Sequence, residues 1–177
     1  MPHREGTADP MANARGIKRI LVSIGGNERS LLTAQYAVVL ARLLDAELYA
    51  IYVVDTKILK DLLKARIFIR MEELNYARDF EGDGKRYLDY VRDLAEAKGV
   101  AVTTILEKGE VHTLVTQKAR EIEADILVMG ELFNPSSRRD CYYDEGERIF
   151  RGARCPVLVV KGEERIRELY EGLEPEK

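Results

Sequence analysis

Arg19-Ile20-Leu21-Val22-Ser23-Ile24 runs into Gly25-Gly26-Asn27. A strand exposed on one side would alternate apolar and polar residues. A nearly continuous apolar run suits a strand buried on both faces of a parallel sheet, and the glycines turn the chain out of it. The next segment has helical spacing: Ala34, Val38 and Ala41 form one stripe and Ala37, Leu40 and Leu44 its neighbour, with Arg42 and Asp45 off that face. Leu48-Tyr49-Ala50-Ile51-Tyr52-Val53-Val54 then repeats the strand pattern and closes at Asp55.

The same alternation continues downstream. Residues 100–106 read as a third strand, and Val111, Leu114, Val115, Ala119 and Ile122 as the buried stripe of a helix. Ile126-Leu127-Val128-Met129 is a fourth strand ending at Gly130; a loop, a short helix over about 144–151 and a fifth strand, Pro156-Val157-Leu158-Val159-Val160, follow. Strict strand and helix alternation with apolar strands implies an α/β fold, a parallel sheet covered on both faces through right-handed crossovers. Residues 57–81 form a variable insert whose Leu59, Leu62, Leu63, Ile67, Met71 and Leu74 favour helix, interrupted near Ile67-Phe68-Ile69. Glu81-Gly82-Asp83-Gly84 is expected to break the chain before a helix that buries Leu88, Val91, Leu94 and Ala95 and stops at a basic last turn and glycine cap, Lys98-Gly99.

With 177 residues and a net charge of −3 from 28 basic and 31 acidic side chains, the chain has the size of one domain and no general attraction for nucleic acid or an anionic membrane. No apolar run reaches the roughly 20 residues that span a bilayer, so the expected location is the cytoplasm. Two cysteines and two histidines lack zinc-ligand spacing, and no metal is expected. Residues 1–16 read as a mobile tail, 17–161 as the domain and 162–177 as an extension. In that extension Ile166, Leu169, Tyr170 and Leu173 make an amphipathic helix. Its stripe is expected to dock on its own domain or on a dimer mate; the sharper alternative is a handle for a protein partner.

Ala124-Asp125-Ile126-Leu127-Val128-Met129-Gly130, followed by Cys155-Pro156-Val157-Leu158-Val159-Val160 in this order of elements, resembles the universal stress proteins over about residues 17–161. The resemblance implies a three-layer sandwich of the adenine nucleotide alpha hydrolase-like type, with a five-stranded parallel sheet of order 3-2-1-4-5 and helices on both faces. That order reverses between the first and fourth strands, so a ligand would sit beyond their carboxyl ends, at residues 25–30 and 130–144. It also implies a homodimer through the fifth strand, Val157, Leu158, Val159 and Val160 pairing antiparallel with a second copy.

ATP-binding members end the first strand in an Asp that holds the nucleoside, followed by Gly and Ser; the matching stretch here is Gly25-Gly26-Asn27. Such members also carry Gly, two residues, Gly, nine residues, then Gly and Ser or Thr after the fourth strand. Gapless alignment keeps only Gly130 and puts Phe133, Tyr143 and Asp144 at the other fixed positions. The loss matters because a phosphate must approach several backbone N–H groups, which a Cβ obstructs. An Asp144 with Glu147 three residues on would also cap the following helix with a carboxylate where a phosphate would have used its positive end.

The degenerate site thus comprises Gly25, Gly26, Asn27, Val54, Gly130, Ser136, Ser137, Arg138, Tyr143 and Asp144. Ser136, Ser137, Arg138 and Arg139 could grip another anion, although Asp140, Asp144, Glu145 and Glu147 offset their field. Tyr142 and Tyr143 read as filling for a vacated nucleotide space rather than as a platform for a base. His112 reads as a turn histidine, Cys155 as a small buried hydrophobe, and Cys141 as the more exposed thiol. A third reading takes residues 23–30 as a distorted pyrophosphate loop of ATP-pyrophosphatase enzymes, but the spacing is wrong and the Asp is missing. The leading expectation is a non-catalytic, dimeric stress-response or signalling module that does not bind ATP tightly and takes no cofactor. The alternative is a nucleotide-binding or weakly ATP-hydrolysing protein that uses the 130–144 loop.

Overall fold

The computed structural model describes residues 16–56, 70–130 and 145–174. Among the described residues there are five strands: β1 (Arg19–Ile24), β2 (Glu47–Asp55), β3 (Val102–Gly109), β4 (Ile126–Gly130) and β5 (Val157–Val160). The described helices are α1 (Glu28–Leu44), α2 (Arg70–Glu96), α3 (Val111–Glu121), α4 (Glu145–Gly152) and α5 (Glu163–Glu171). The strands form one sheet of order β3-β2-β1-β4-β5, every pairing parallel, so the topology reverses between β1 and β4 as the resemblance implied.

Side-chain alternation explains why the strands read as unbroken apolar runs. Ile20, Val22, Ile24, Leu48, Ala50 and Val128 pack beneath α1, α2 and α5. Their neighbours in sequence, Leu21, Ile51, Leu127 and Met129, pack beneath α3 and α4 with Val115, Ala119 and Ile149. Both faces are therefore core, and three layers result.

Three helices hand over to strands through the same closing turn. Ala46, Val100 and Ala124 each donate an N–H to the carbonyl five residues back, on Ala41, Ala95 and Ala119, at 3.0, 2.9 and 2.8 Å. That bond requires the preceding residue to be left-handed, and Asp45, Gly99 and Glu123 have φ of 50°, 68° and 50°. Only the second turn uses the glycine that sequence reasoning looks for.

The sequence reading needs correction in α2, in α1, in β3 and at the end of α2. Gly82 and Gly84 do not break the chain: α2 is continuous from Arg70 through both. Leu44 does not join the buried stripe of α1, because it stands at the last turn and is 37% exposed. The third strand begins two residues later than expected, since Val100 is used to close α2, and it runs on to Gly109. Lys98 lies past the last turn of α2 and instead donates to the Leu173 carbonyl at 2.8 Å. Residues 57–69, with the expected interruption at Ile67, lie outside the described residues.

The terminal helix docks on its own domain. Ile166 and Tyr170 of α5 are buried in the α1–α2 side of the core, and the Tyr170 hydroxyl donates to the Leu94 carbonyl at 2.7 Å. The Lys98 ammonium sits 4.8 Å from the Tyr170 ring centroid. Among the described residues no helix is long and apolar enough to cross a membrane.

Candidate functional site

The reversal of strand order opens the sheet at the carboxyl ends of β1 and β4. Ser23 pairs with Met129 and Ile24 with Tyr52, which brings Gly25, Gly26 and Asn27 beside Gly130 on one side and the end of β2, with buried Val54, on the other. These five expected site residues converge. Ser136, Ser137, Arg138, Tyr143, Asp144 and Phe133 lie outside the described residues, as do Cys141 and Tyr142.

The β1–α1 turn is closed on itself. Asn27 is the N-cap of α1, and its Oδ1 accepts from the Ser30 N–H at 2.9 Å and the Ser30 hydroxyl at 3.1 Å. In return Ser30 Oγ accepts from the Gly25 N–H at 3.0 Å and the Asn27 N–H at 3.3 Å. The reciprocal pair is a capping box in which serine replaces the usual Glu or Gln. Three N–H groups that could face an anion are directed inward to one amide and one hydroxyl. Sequence reasoning singled out Asn27 and took in Ser30 only as the end of the stretch 25–30, without its role; the three-residue spacing was the available signal.

Close packing fixes the neighbours of this turn. A Cβ on Gly130 would stand 2.9 Å from Thr33 Oγ1, and Thr33, only 1% exposed, donates its hydroxyl to the Arg29 carbonyl at 3.1 Å. Gly130 therefore lets α1 sit against the end of β4, a packing role that the loop motif alone did not disclose. Gly26 has a φ of 68°, and a Cβ there would meet the Tyr52 hydroxyl at 2.8 Å. The Tyr52 ring stacks on Tyr87 of α2 with centroids 6.1 Å apart and planes 12° apart. Burial pushes the Tyr52 phenol above its ordinary range, with smaller contributions in the same direction from Asp83 and Tyr87. Neither ring was expected at the site.

His112, at the start of α3, belongs to a contact between α3 and α4. Its Nδ1 lies 2.8 Å from Glu145 Oε2, its backbone N–H donates to the same oxygen at 3.0 Å, and an Arg148 nitrogen is 3.2 Å from Nδ1. Arg148 also reaches Glu110 at 3.4 Å. The arrangement ties two helix starts together, in line with a turn histidine. Cys155 is half-buried at the entrance to β5, and burial pushes its thiol up. Among the described residues no group of three or more His, Cys, Asp or Glu could hold a metal ion.

The two edges of the sheet differ. On β3, Lys108 pairs with Glu81, Glu107 with Lys118 at 3.8 Å, and Thr104 accepts from Arg92 at 3.0 Å. On β5, Val157, Leu158 and Val159 are half-buried, and only Val160 is fully buried. Among the described residues no strand pairs with the outer edge of β5.

A family model, the universal stress protein family, matches residues 16–161. The chain belongs to the universal stress protein family. A universal stress protein of Methanocaldococcus jannaschii is 33% identical over 144 residues, 81% of this chain and 82% of that one. A solved universal stress protein family member from Burkholderia pseudomallei superposes with a TM-score of 0.64 at 28% identity, covering 82% of this chain and 97% of that one. Two more distant universal stress proteins share the fold. One, solved in complex with cAMP, has a TM-score of 0.60 at 19% identity and covers 81% of this chain and 97% of that one. The other, from Archaeoglobus fulgidus in complex with dAMP, has a TM-score of 0.54 at 16% identity and covers 81% of this chain and 98% of that one.

Proposed function

We propose that this universal stress protein is a non-catalytic, cytoplasmic, dimeric stress-response or signalling module whose β1–β4 crevice does not bind ATP tightly. The observation that carries the reading is the closed β1–α1 turn. Gly25 stands where an ATP-binding relative would place a carboxylate, and the N–H groups of Gly25, Asn27 and Ser30 are already engaged by Asn27 and Ser30. A nucleotide there would have no side-chain acceptor at residue 25 for its sugar hydroxyls, and opening the turn would cost the capping box, typically about 1 kcal/mol. The contrast of edges supports the dimer: the charged side chains on β3 discourage pairing, whereas β5 presents valine and leucine alone. The stripe of α5 is engaged by its own domain, so a protein partner of this helix would meet its charged outer face.

Isothermal titration calorimetry of the full chain with ATP and magnesium tests the reading. Heat no larger than dilution is expected, and micromolar affinity overturns it. A second reading, binding or slow hydrolysis of a nucleotide through the 130–144 loop, draws on the two relatives solved with cAMP and dAMP, both of which carry a single phosphate. A monophosphate needs fewer backbone donors than a triphosphate. Titration with AMP, dAMP and cAMP separates the readings, because binding of these without ATP assigns the crevice to a small nucleotide.

A further inference from the structure

Phe150 is 54% exposed on α4, an eight-residue helix. Single exposed apolar side chains are common on folded proteins, so what matters at Phe150 is its place, which the sides of α4 define. Glu145 and Arg148 face α3, where they meet His112 and Glu110. Gly152 faces α3 as well, since a Cβ there would lie 3.3 Å from Thr116 Cγ2. Ile149 and Ala153 face the sheet. At 3.6 residues per turn, Phe150 stands about 100° round the helix from Ile149 and projects sideways from the flank opposite α3. Because α3 packs over β2 and β3 and α4 lies beside it, that flank overlooks the outer edge of β5. On this face of the sheet β5 directs Val157 and Val159, both half-buried.

We infer that Phe150 is the aromatic anchor of an interface with a second copy of this chain, in which Phe150, Val157 and Val159 form one apolar strip continuous with the unpaired β5 edge. This inference rests on the dimer reading above and deepens it. Two-fold pairing of β5 strands carries each α4 flank toward its symmetry mate, so the strip is self-complementary and Phe150 counts twice per dimer. Buried aromatic residues surrounded by weaker contacts are where interfaces concentrate their energy.

The chain contains no tryptophan, so Phe150→Trp introduces a single indole at the position in question. Light scattering on the wild-type full chain across a dilution series establishes the dimer. The indole emission of the Phe150→Trp protein is expected to shift to the blue as the dimer forms. Phe150→Ala is expected to weaken association by about tenfold or more, and Phe150→Glu to give a folded monomer with unchanged circular dichroism, because the side chain is exposed in one copy. A wild-type monomer at every concentration overturns the dimer reading and Phe150 with it. A wild-type dimer in which the indole emission does not respond and both truncation and charge leave association unchanged overturns the role of Phe150 alone.

Discussion

Arg19 and Asp125 exchange hydrogen bonds across the β1–β4 seam: the Arg19 N–H donates to Asp125 Oδ2 at 2.9 Å, and the Asp125 N–H donates to the Arg19 carbonyl at 2.8 Å. The same carboxylate oxygen also accepts from the Lys18 N–H at 2.8 Å. Asp125 therefore starts two neighbouring strands, which gives a physical reason for an aspartate immediately before β4. Asp125→Ala is expected to lose about 2 kcal/mol, since two charge-assisted bonds disappear and leave two backbone donors without their partner. Asp125→Asn, which keeps one acceptor oxygen, should lose about half as much. Urea denaturation of the three proteins checks the order, and equal stability of the wild type and Asp125→Ala would refute it.

What could be read in the sequence follows from how far each interaction reaches. Apolar runs and helical stripes are local, and they located the five described strands and α1, α3, α4 and α5 to within a few residues, whereas α2 was expected to begin only after Gly84 and in fact runs from Arg70. Asn27 to Ser30 is also local, but serine is not the residue that the capping-box pattern teaches one to expect at that place. Tyr52 over Gly26 and Gly84, and Thr33 against Gly130, depend on elements far apart in sequence meeting at the sheet end. No periodicity announces such contacts. The error at Gly82 and Gly84 has the same origin: glycine propensity favours a break, and tertiary packing overrides it.

At the end of α1, Asp45 holds φ 50° and ψ 53°, and its side chain is fully exposed, with only a 3.5 Å surface pair to Lys18. Left-handed geometry costs most residues about 1 kcal/mol or more, with Asp among the better tolerated. Asp45→Gly should raise stability by about 0.5 kcal/mol, the gain being reduced by the freedom glycine adds to the unfolded chain. Asp45→Ala, which keeps a Cβ and loses the polar side chain, should fall below the wild type. Thermal melts at neutral pH read both, and the opposite ranking would show that the turn is not limited by backbone geometry.

Tyr170 connects α5 to α2 through its bond to Leu94, and burial holds its phenol above the ordinary range, with Tyr90 adding to the effect. The folded protein thus keeps a proton that the unfolded chain releases near pH 10. By linkage, this contribution is intact below about pH 10 and declines as the pH rises through the folded-state value. Tyr170→Phe should cost about 1 kcal/mol at pH 7 and show a shallower loss of stability in alkali. Urea midpoints at neutral and alkaline pH decide; parallel declines in the two proteins would remove Tyr170 as the titrating group.

Gly82 and Gly84 occupy the same helix two residues apart and should respond in opposite directions to the same substitution. Ala normally stabilises a helix interior over Gly by about 1 kcal/mol. At Gly82 nothing lies within 4 Å of the added Cβ, so Gly82→Ala should realise most of that gain. At Gly84 the Cβ would stand 2.7 Å from Tyr52 Cδ1 and 2.8 Å from Leu106 Cδ1. Tyr52 has little room to retreat, because its ring lies against Gly26 and stacks on Tyr87. Overpacking of this kind costs about 1–3 kcal/mol, enough to reverse the helix gain, so Gly84→Ala should destabilise the fold. It should also disturb the tyrosine near-ultraviolet circular dichroism, which Gly82→Ala leaves unchanged. If both substitutions stabilised the protein equally, the close approach of α2 to Tyr52 would be wrong, and with it the account of how the rings are held beside the β1–α1 turn.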